Sequence, residues 1–132
     1  MRALVTGGAG FIGSNLVDKL IEKGWGVIVL DDLSTGKKEN INTNAKFYNV
    51  DISTMTDLGR TNKNVFRLFE GIDIVFHLAA KARVQPSIVD PVSFNKVNVQ
   101  GTLNVLLASH NAGVKRVVYS ASSSAYGNAT KF

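Results

Sequence analysis

Strands alternating with helices, glycines gathered at the first strand-to-helix junction, and apolar runs that are continuous rather than alternating predict an α/β domain. The expected architecture is a doubly wound parallel sheet of five strands in the order 3-2-1-4-5. Five short runs rich in β-branched residues, 2–6, 26–31, 46–50, 72–77 and 116–120, read as the strands. Val27-Ile28-Val29-Leu30 and Ile72-Asp73-Ile74-Val75-Phe76 are apolar almost throughout, as strands are when helices cover both faces of a sheet. Right-handed crossovers then leave few topologies and put ligand sites at the carboxyl ends of the strands.

Helices fill the intervals. The first opens near Phe11, with Ile12, Leu16 and Leu20 on one stripe, flanked by Val17 and Ile21, and Gly24 as its stop. A second is expected over about 55–70, capped by Thr54, with Phe66 and Phe69 inward and Gly71 at its end. In the third, Asp90 caps, Pro91 takes the first helical position, Val99, Leu103, Leu106 and Leu107 form the apolar stripe, and Gly113 ends it. The polar, asparagine-rich stretch 32–45 reads as a long surface connection.

Composition narrows the function. A chain of 132 residues, 45% hydrophobic and 19% charged, suits one globular domain with one core. Without cysteine there is no disulfide framework, thiolate zinc site or thiol nucleophile, and no metal is expected. No apolar run approaches the roughly 20 residues that span a bilayer, so no membrane partner is expected and the cytoplasm is the expected compartment. The 15 Lys and Arg residues outnumber 10 acids but are scattered, which argues against nucleic acid and suits a phosphate-bearing small ligand.

Gly7-Gly8-Ala9-Gly10-Phe11-Ile12-Gly13 lies between the first strand and the first helix, the context that gives a glycine fingerprint its weight. One glycine permits the turn, Gly10 lets the backbone approach a pyrophosphate, and Gly13 lets the helix pack close to the sheet. The start of the helix, at Phe11 and Ile12, offers unpaired N–H groups and the positive end of its dipole. Asp31 ends the second strand 18 residues after Gly13, where a carboxylate can accept from both hydroxyls of an adenosine ribose, and Asp32 can share that work. Such a carboxylate favours NAD, since a 2′-phosphate needs an arginine, and the nearby cations, Lys37 and Lys38, lie farther along the loop. Both aspartates are also ordinary turn residues. His77, closing a strand, reads as a hydrogen-bonded core residue rather than a base.

Six motifs in order resemble the extended short-chain dehydrogenase/reductases, in particular the NAD-dependent epimerases and dehydratases of sugar nucleotides, such as UDP-glucose 4-epimerases. They are Thr6 to Ser14 around the glycines, Asp31-Asp32-Leu33-Ser34-Thr35-Gly36, Asp51-Ile52, His77-Leu78-Ala79-Ala80, Asn98-Val99-Gln100-Gly101-Thr102 and Ser122-Ser123-Ser124-Ala125-Tyr126-Gly127. The resemblance implies a Rossmann-type NAD-binding domain over residues 1–132, with Asp51 and Ile52 at the adenine and Leu78, Ala79 and Ala80 along the nucleotide and nicotinamide ribose. It also implies Asn98 holding a loop near the cofactor, Ser120 near the nicotinamide and Ser122 as the catalytic serine. A homodimer through helices flanking the sheet, the third among them, is implied as well.

The family's Tyr-x-x-x-Lys pair, in which the tyrosine takes the hydroxyl proton while hydride passes to the nicotinamide, does not occur in this sequence. Tyr126 is followed four residues later by Thr130 and matches the family's structural tyrosine. The remaining strands and the region that binds the nucleotide sugar are absent too, so the expected function is the amino-terminal part of a UDP-hexose 4-epimerase, inactive by itself. A 4,6-dehydratase fits less well, because its usual Asp-Glu pair is replaced by Ser123 and Ser124. Ala125 stands where many members have valine, and Ala82 where UDP-glucose 4-epimerases often have lysine. A non-catalytic dinucleotide-binding module is the alternative from outside enzymology; the retained Ser122 weighs against it.

Overall fold

The computed structural model describes residues 1–55, 63–122, 125 and 127. Five strands, β1 (Arg2–Thr6), β2 (Gly26–Asp31), β3 (Lys46–Asn49), β4 (Ile74–His77) and β5 (Arg116–Tyr119), form one sheet in the order β3-β2-β1-β4-β5. Every neighbouring pair is parallel, with Ala3 opposite Val27 and Ile74, and Val75 opposite Val117. The doubly wound sheet expected from the apolar runs is therefore present, with reversal between β1 and β4.

Alternation along β1 and β2 sends side chains into two cores. Ala3, Val5, Val27 and Val29 pack on α1 (Phe11–Glu22) through Val17 and Leu20. Leu4, Ile28, Leu30 and Val75 meet Ile52, Met55, Phe69, Val105 and Ala108 on the other face. Both central strands are buried on both faces, which is why their sequences are apolar throughout. The outer strands β3 and β5 are largely exposed.

The helices depart from expectation in several places. In α1 the core stripe is Gly13, Val17 and Leu20, whereas Ile12 is exposed at the carboxyl edge of the sheet. Residues 56–62 of the expected second helix lie outside the described residues. Before them Asp51 caps a single 3-10 turn (Ile52–Thr54) by accepting from Ser53 N–H at 2.8 Å. After them come α2 (Lys63–Phe66) and a 3-10 turn (Arg67–Phe69), with Phe69 buried and Gly71 at φ 69. A short helix, α3 (Val84–Val89), then precedes the long one.

Residues 91–111 run through α4 (Pro91–Asn95), a π-helical stretch (Lys96–Gly101) and α5 (Thr102–Asn111). Asp90 caps as expected, accepting from Ser93 N–H at 3.1 Å, with Pro91 in the first turn. The apolar stripe faces outward: Val99, Leu103, Leu106 and Leu107 are exposed, and the face on the sheet is Gly101, Asn104, Val105, Ala108 and Ser109. Both faces have helical spacing, and the smaller one is buried because the backbone must come close to Ile52. A Cβ on Gly101 would lie 2.8 Å from Ile52 Cδ1. The π stretch adds a residue to a turn and rotates the rest of the helix by about 100°, a phase change that spacing alone does not reveal.

Candidate functional site

The first turn is built around contacts too close for side chains. Gly7, at φ 72, donates to Leu30 O at 2.8 Å, tying the end of β1 to β2. A Cβ on Gly13 would lie 2.1 Å from Gly7 O, so α1 can begin this near the sheet only with glycine there. Gly10 is extended, and a Cβ there would meet only Gly7 O, at 3.3 Å; its open side faces the cavity. No acid occupies the first turn of α1, so its N-terminal dipole is not offset from within.

Asp31 is buried at the end of β2 and has two backbone partners. Oδ2 accepts from Ala9 N–H at 3.0 Å and Oδ1 from Leu33 N–H at 2.8 Å. It therefore staples the glycine turn to the next loop, and each oxygen keeps a second lone pair for a ligand. Asp32 Oδ1 accepts from Ser34 N–H and Oγ at 2.9 and 2.6 Å, a turn that bends the loop toward the site.

Residues 32–45 are more than a surface connection. Ser34, Thr35 and Gly36 line the cavity, and Lys37 N–H and Asn40 Nδ2 both donate to Ala9 O, at 3.1 and 3.0 Å. A Cβ on Gly36 would come within 2.9 Å of Ala9. The sequence signal was the glycine that closes the Asp31 motif, which marks a close approach once the partner is known.

Across the sheet, Asp51 and Ile52 follow β3, and Leu78, Ala79 and Ala80 follow β4. Asn104 Nδ2 donates to Ile52 O at 2.8 Å, holding that wall from behind, a role that composition did not suggest. Asn98 lies in the π stretch: its Oδ1 accepts from Lys81 N–H at 2.8 Å and its Nδ2 donates to Lys81 O at 2.9 Å. The Asn98 amide thus pairs with the backbone of Lys81, the residue after Ala80. Lys81 Nζ donates to Ser93 Oγ at 2.9 Å and sits 5.7 Å from the centre of the Phe94 ring.

These elements enclose a cleft of about 590 Å³ at the carboxyl ends of the strands. Its lining includes Gly7, Gly10, Phe11, Ile12, Gly13, Asp31, Asp32, Asp51, Ile52, Leu78, Ala79, Ala80 and Ser120. Asn98 stands behind it. Ser122 does not line it; this exposed serine lies two residues past Ser120, and its carbonyl accepts from Ala125 N–H at 3.1 Å. Ser123, Ser124 and Tyr126 lie outside the described residues. Among the described lining residues Lys81 is the cation, against three aspartates, and Lys37 Nζ is paired with Glu39 at 3.3 Å.

Beneath the cleft, His77 is buried and bonded at both ring nitrogens, to Thr6 Oγ1 at 2.7 Å and Thr102 Oγ1 at 2.9 Å. It stacks on Tyr119 with ring centres 5.6 Å apart. Burial pushes its pKa down to about 4, so the ring is neutral at pH 7.

The cleft fits a dinucleotide: glycine-lined backbone at a helix N-terminus, a buried carboxylate at the neighbouring strand end, and small residues beyond. Residues 3–132 match the model of the NAD dependent epimerase/dehydratase family. UDP-glucose 4-epimerase of Mycolicibacterium smegmatis is 42% identical over 130 residues, 96% of this chain and 41% of that protein. The crystal structure of UDP-glucose 4-epimerase from Thermotoga maritima with UDP-glucose is 46% identical with a TM-score of 0.88, covering 100% of this chain and 41% of that one. The Thermus thermophilus UDP-glucose 4-epimerase in complex with NAD is 43% identical with a TM-score of 0.78, covering 89% of this chain and 36% of that one. The chain thus spans about two fifths of the length of the relatives it matches.

Proposed function

The chain belongs to the NAD dependent epimerase/dehydratase family, and from that premise we propose that residues 1–132 are the NAD-binding part of a sugar-nucleotide epimerase acting at C4 of a UDP-hexose. The observation that carries this reading is the junction of Gly7, Gly10 and Gly13 with the buried Asp31 at one end of a single cleft.

In this reading the N–H groups opening α1, at Phe11 and Ile12, hold the pyrophosphate, which passes over Gly10 and Gly7 with Gly13 behind. Asp31 takes the adenosine ribose hydroxyls on its remaining lone pairs, with Asp32 beside it. Asp51 accepts from the adenine amino group and Ile52 supplies an apolar wall. Leu78, Ala79 and Ala80 pass under the nicotinamide ribose, held through Lys81 by Asn98, and Ser120 closes the nicotinamide end. Ser122 hydrogen-bonds the sugar hydroxyl. Bound NAD supplies the reversible hydride acceptor that transient oxidation and re-reduction at C4 require. Ser123 and Ser124, in place of an acidic pair, favour an epimerase over a 4,6-dehydratase. The exposed Val99, Leu103, Leu106 and Leu107 support a homodimer through the long helix, and the cytoplasm is the compartment we propose for the whole protein.

Without a Tyr-x-x-x-Lys pair, residues 1–132 have a serine but no base, and general base catalysis is worth roughly a hundredfold to ten-thousandfold. The isolated chain is therefore expected not to interconvert UDP-glucose and UDP-galactose in a coupled assay with added NAD. Turnover that Ser122→Ala reduces would mean that another group serves as base, with Tyr126 the first to mutate.

Calorimetry with NAD and NADP tests the cofactor. NAD should bind more tightly, because Asp31 repels a 2′-phosphate inside a partly desolvated cleft. Asp31→Ala should cost roughly 1–2 kcal/mol of NAD affinity, and because it also frees the buried Ala9 N–H, unfolding is measured alongside. Tighter binding of NADP would overturn the assignment.

A further inference from the structure

The groups around His77 can be satisfied in only one direction. Thr102 Oγ1 donates its single hydrogen to Asn98 O at 2.7 Å, so toward His77 it can only accept, and His77 Nε2 must carry the proton. The neutral ring then presents a lone pair at Nδ1, which receives the Thr6 hydroxyl hydrogen. The same Thr6 oxygen accepts from Leu78 N–H, shared with Thr6 O, and from Ala79 N–H, all at 3.2 Å. Each proton of the two hydroxyls and of the ring then has an acceptor, and the Nδ1 lone pair and both lone pairs of Thr6 Oγ1 are used. An Nδ1–H ring would make Thr6 Oγ1 accept three N–H groups and strand its own hydrogen.

This series of hydrogen bonds begins and ends on one segment. Thr6 holds the amides of Leu78 and Ala79, and Asn98, whose carbonyl terminates the series, holds Lys81 through its side chain. A π-helical turn at residues 96–101 aims Asn98 and Thr102 at these partners together, a common setting for functional side chains.

We propose that Thr6, His77 in its Nε2–H tautomer, and Thr102 form a one-way hydrogen-bond chain that positions residues 78–81 for the nicotinamide half of the dinucleotide. The inference rests on the cofactor reading above. His77 is a positioning residue: no part of it lines the cleft, and it works by fixing two backbone segments relative to each other.

Thr102→Val removes the acceptor for His77 Nε2–H at nearly constant volume, and Thr102→Ser keeps it. Nitrogen NMR of the chain at neutral pH should give the Nε2–H tautomer for His77; an Nδ1–H or doubly protonated ring overturns the proposal. In Thr102→Val the Ala79 and Lys81 amides should exchange roughly tenfold faster while the β1 and β2 amides hold their rates. Calorimetry should then find NAD weakened roughly tenfold and ADP, which lacks the nicotinamide half, changed less than about twofold, with Thr102→Ser restoring both. Equal loss for NAD and ADP, or loss for neither, overturns positioning. A wild-type chain that binds neither nucleotide overturns the cofactor reading instead, and there tautomer and exchange still decide whether the hydrogen-bond chain exists.

Discussion

The first half of the sheet and the second half use the same strand-helix grammar but close it differently. Around β1, α1 and β2 the interior is complete: Ala3, Val5, Val17 and Val29 are at most 1% exposed, and contacts to Gly7 and Gly13 leave no room for a methyl group. Around β4, β5 and the long helix, the core residues Val75, Val105 and Ala108 are equally buried, yet Leu103, Leu106, Leu107, Val118 and Tyr119 remain exposed. The first half is shaped by what its backbone must approach. The second half carries an inner face set by the sheet and an outer apolar face that nothing in this chain covers among the described residues.

The glycine turn offers the largest way to break that contrast. Gly13→Val should destabilise the fold by roughly 3 kcal/mol or more, because the clash is with the backbone of Gly7 rather than a movable side chain. Gly10→Val should leave stability within about 1 kcal/mol and abolish NAD binding, since its side chain points into open cleft. Denaturant unfolding paired with calorimetry separates the two. If Gly10→Val binds NAD with unchanged affinity, the phosphate-loop reading fails.

Acid should strike the boundary between the halves next. His77 is neutral in the fold with its pKa near 4, against about 6.5 unfolded. The unfolded chain therefore takes up the proton first, and stability is lost as pH falls from about 6.5 toward 4, by up to about 3 kcal/mol. Denaturation midpoints across that window check it; His77→Phe should flatten the His77 part of the slope even where it lowers stability overall.

The smallest effect sharpens the comparison within one helix. Val105→Ala, at a fully buried position, should cost about 2 kcal/mol. Leu106→Ala, one residue on and 45% exposed, should cost less than about 0.5 kcal/mol in the monomer. Equal costs would mean that the outer face is covered.

Much of the site was legible because its chemistry is local. Gly7, Gly10, Gly13 and Asp31 sit where strand ends meet turns, so their types follow from the conformations and close approaches that the backbone needs there. The supporting residues were harder to see. Asn104 and Thr102 look like ordinary polar helix residues until their partners, Ile52 O and His77, arrive from distant segments. Gly36, which closes the Asp31 motif, gains a structural reason only from its contact with Ala9.

The sequence by itself determined the alternation of strands and helices, the parallel sheet with both faces of its centre buried, the capped start of the long helix at Asp90 and the glycine turn between β1 and α1. Each follows from short-range patterns: continuous apolar runs, a proline after a cap, glycines at a junction. Tertiary structure decided which face of the long helix meets the sheet, because helical periodicity allows two faces and only close approach to Ile52 selects the one with Gly101 and Ala108. It also decided the direction of the hydrogen bonds through His77, since a tautomer is set by partners that the chain brings together from Thr6 and Thr102, on opposite sides of it in sequence.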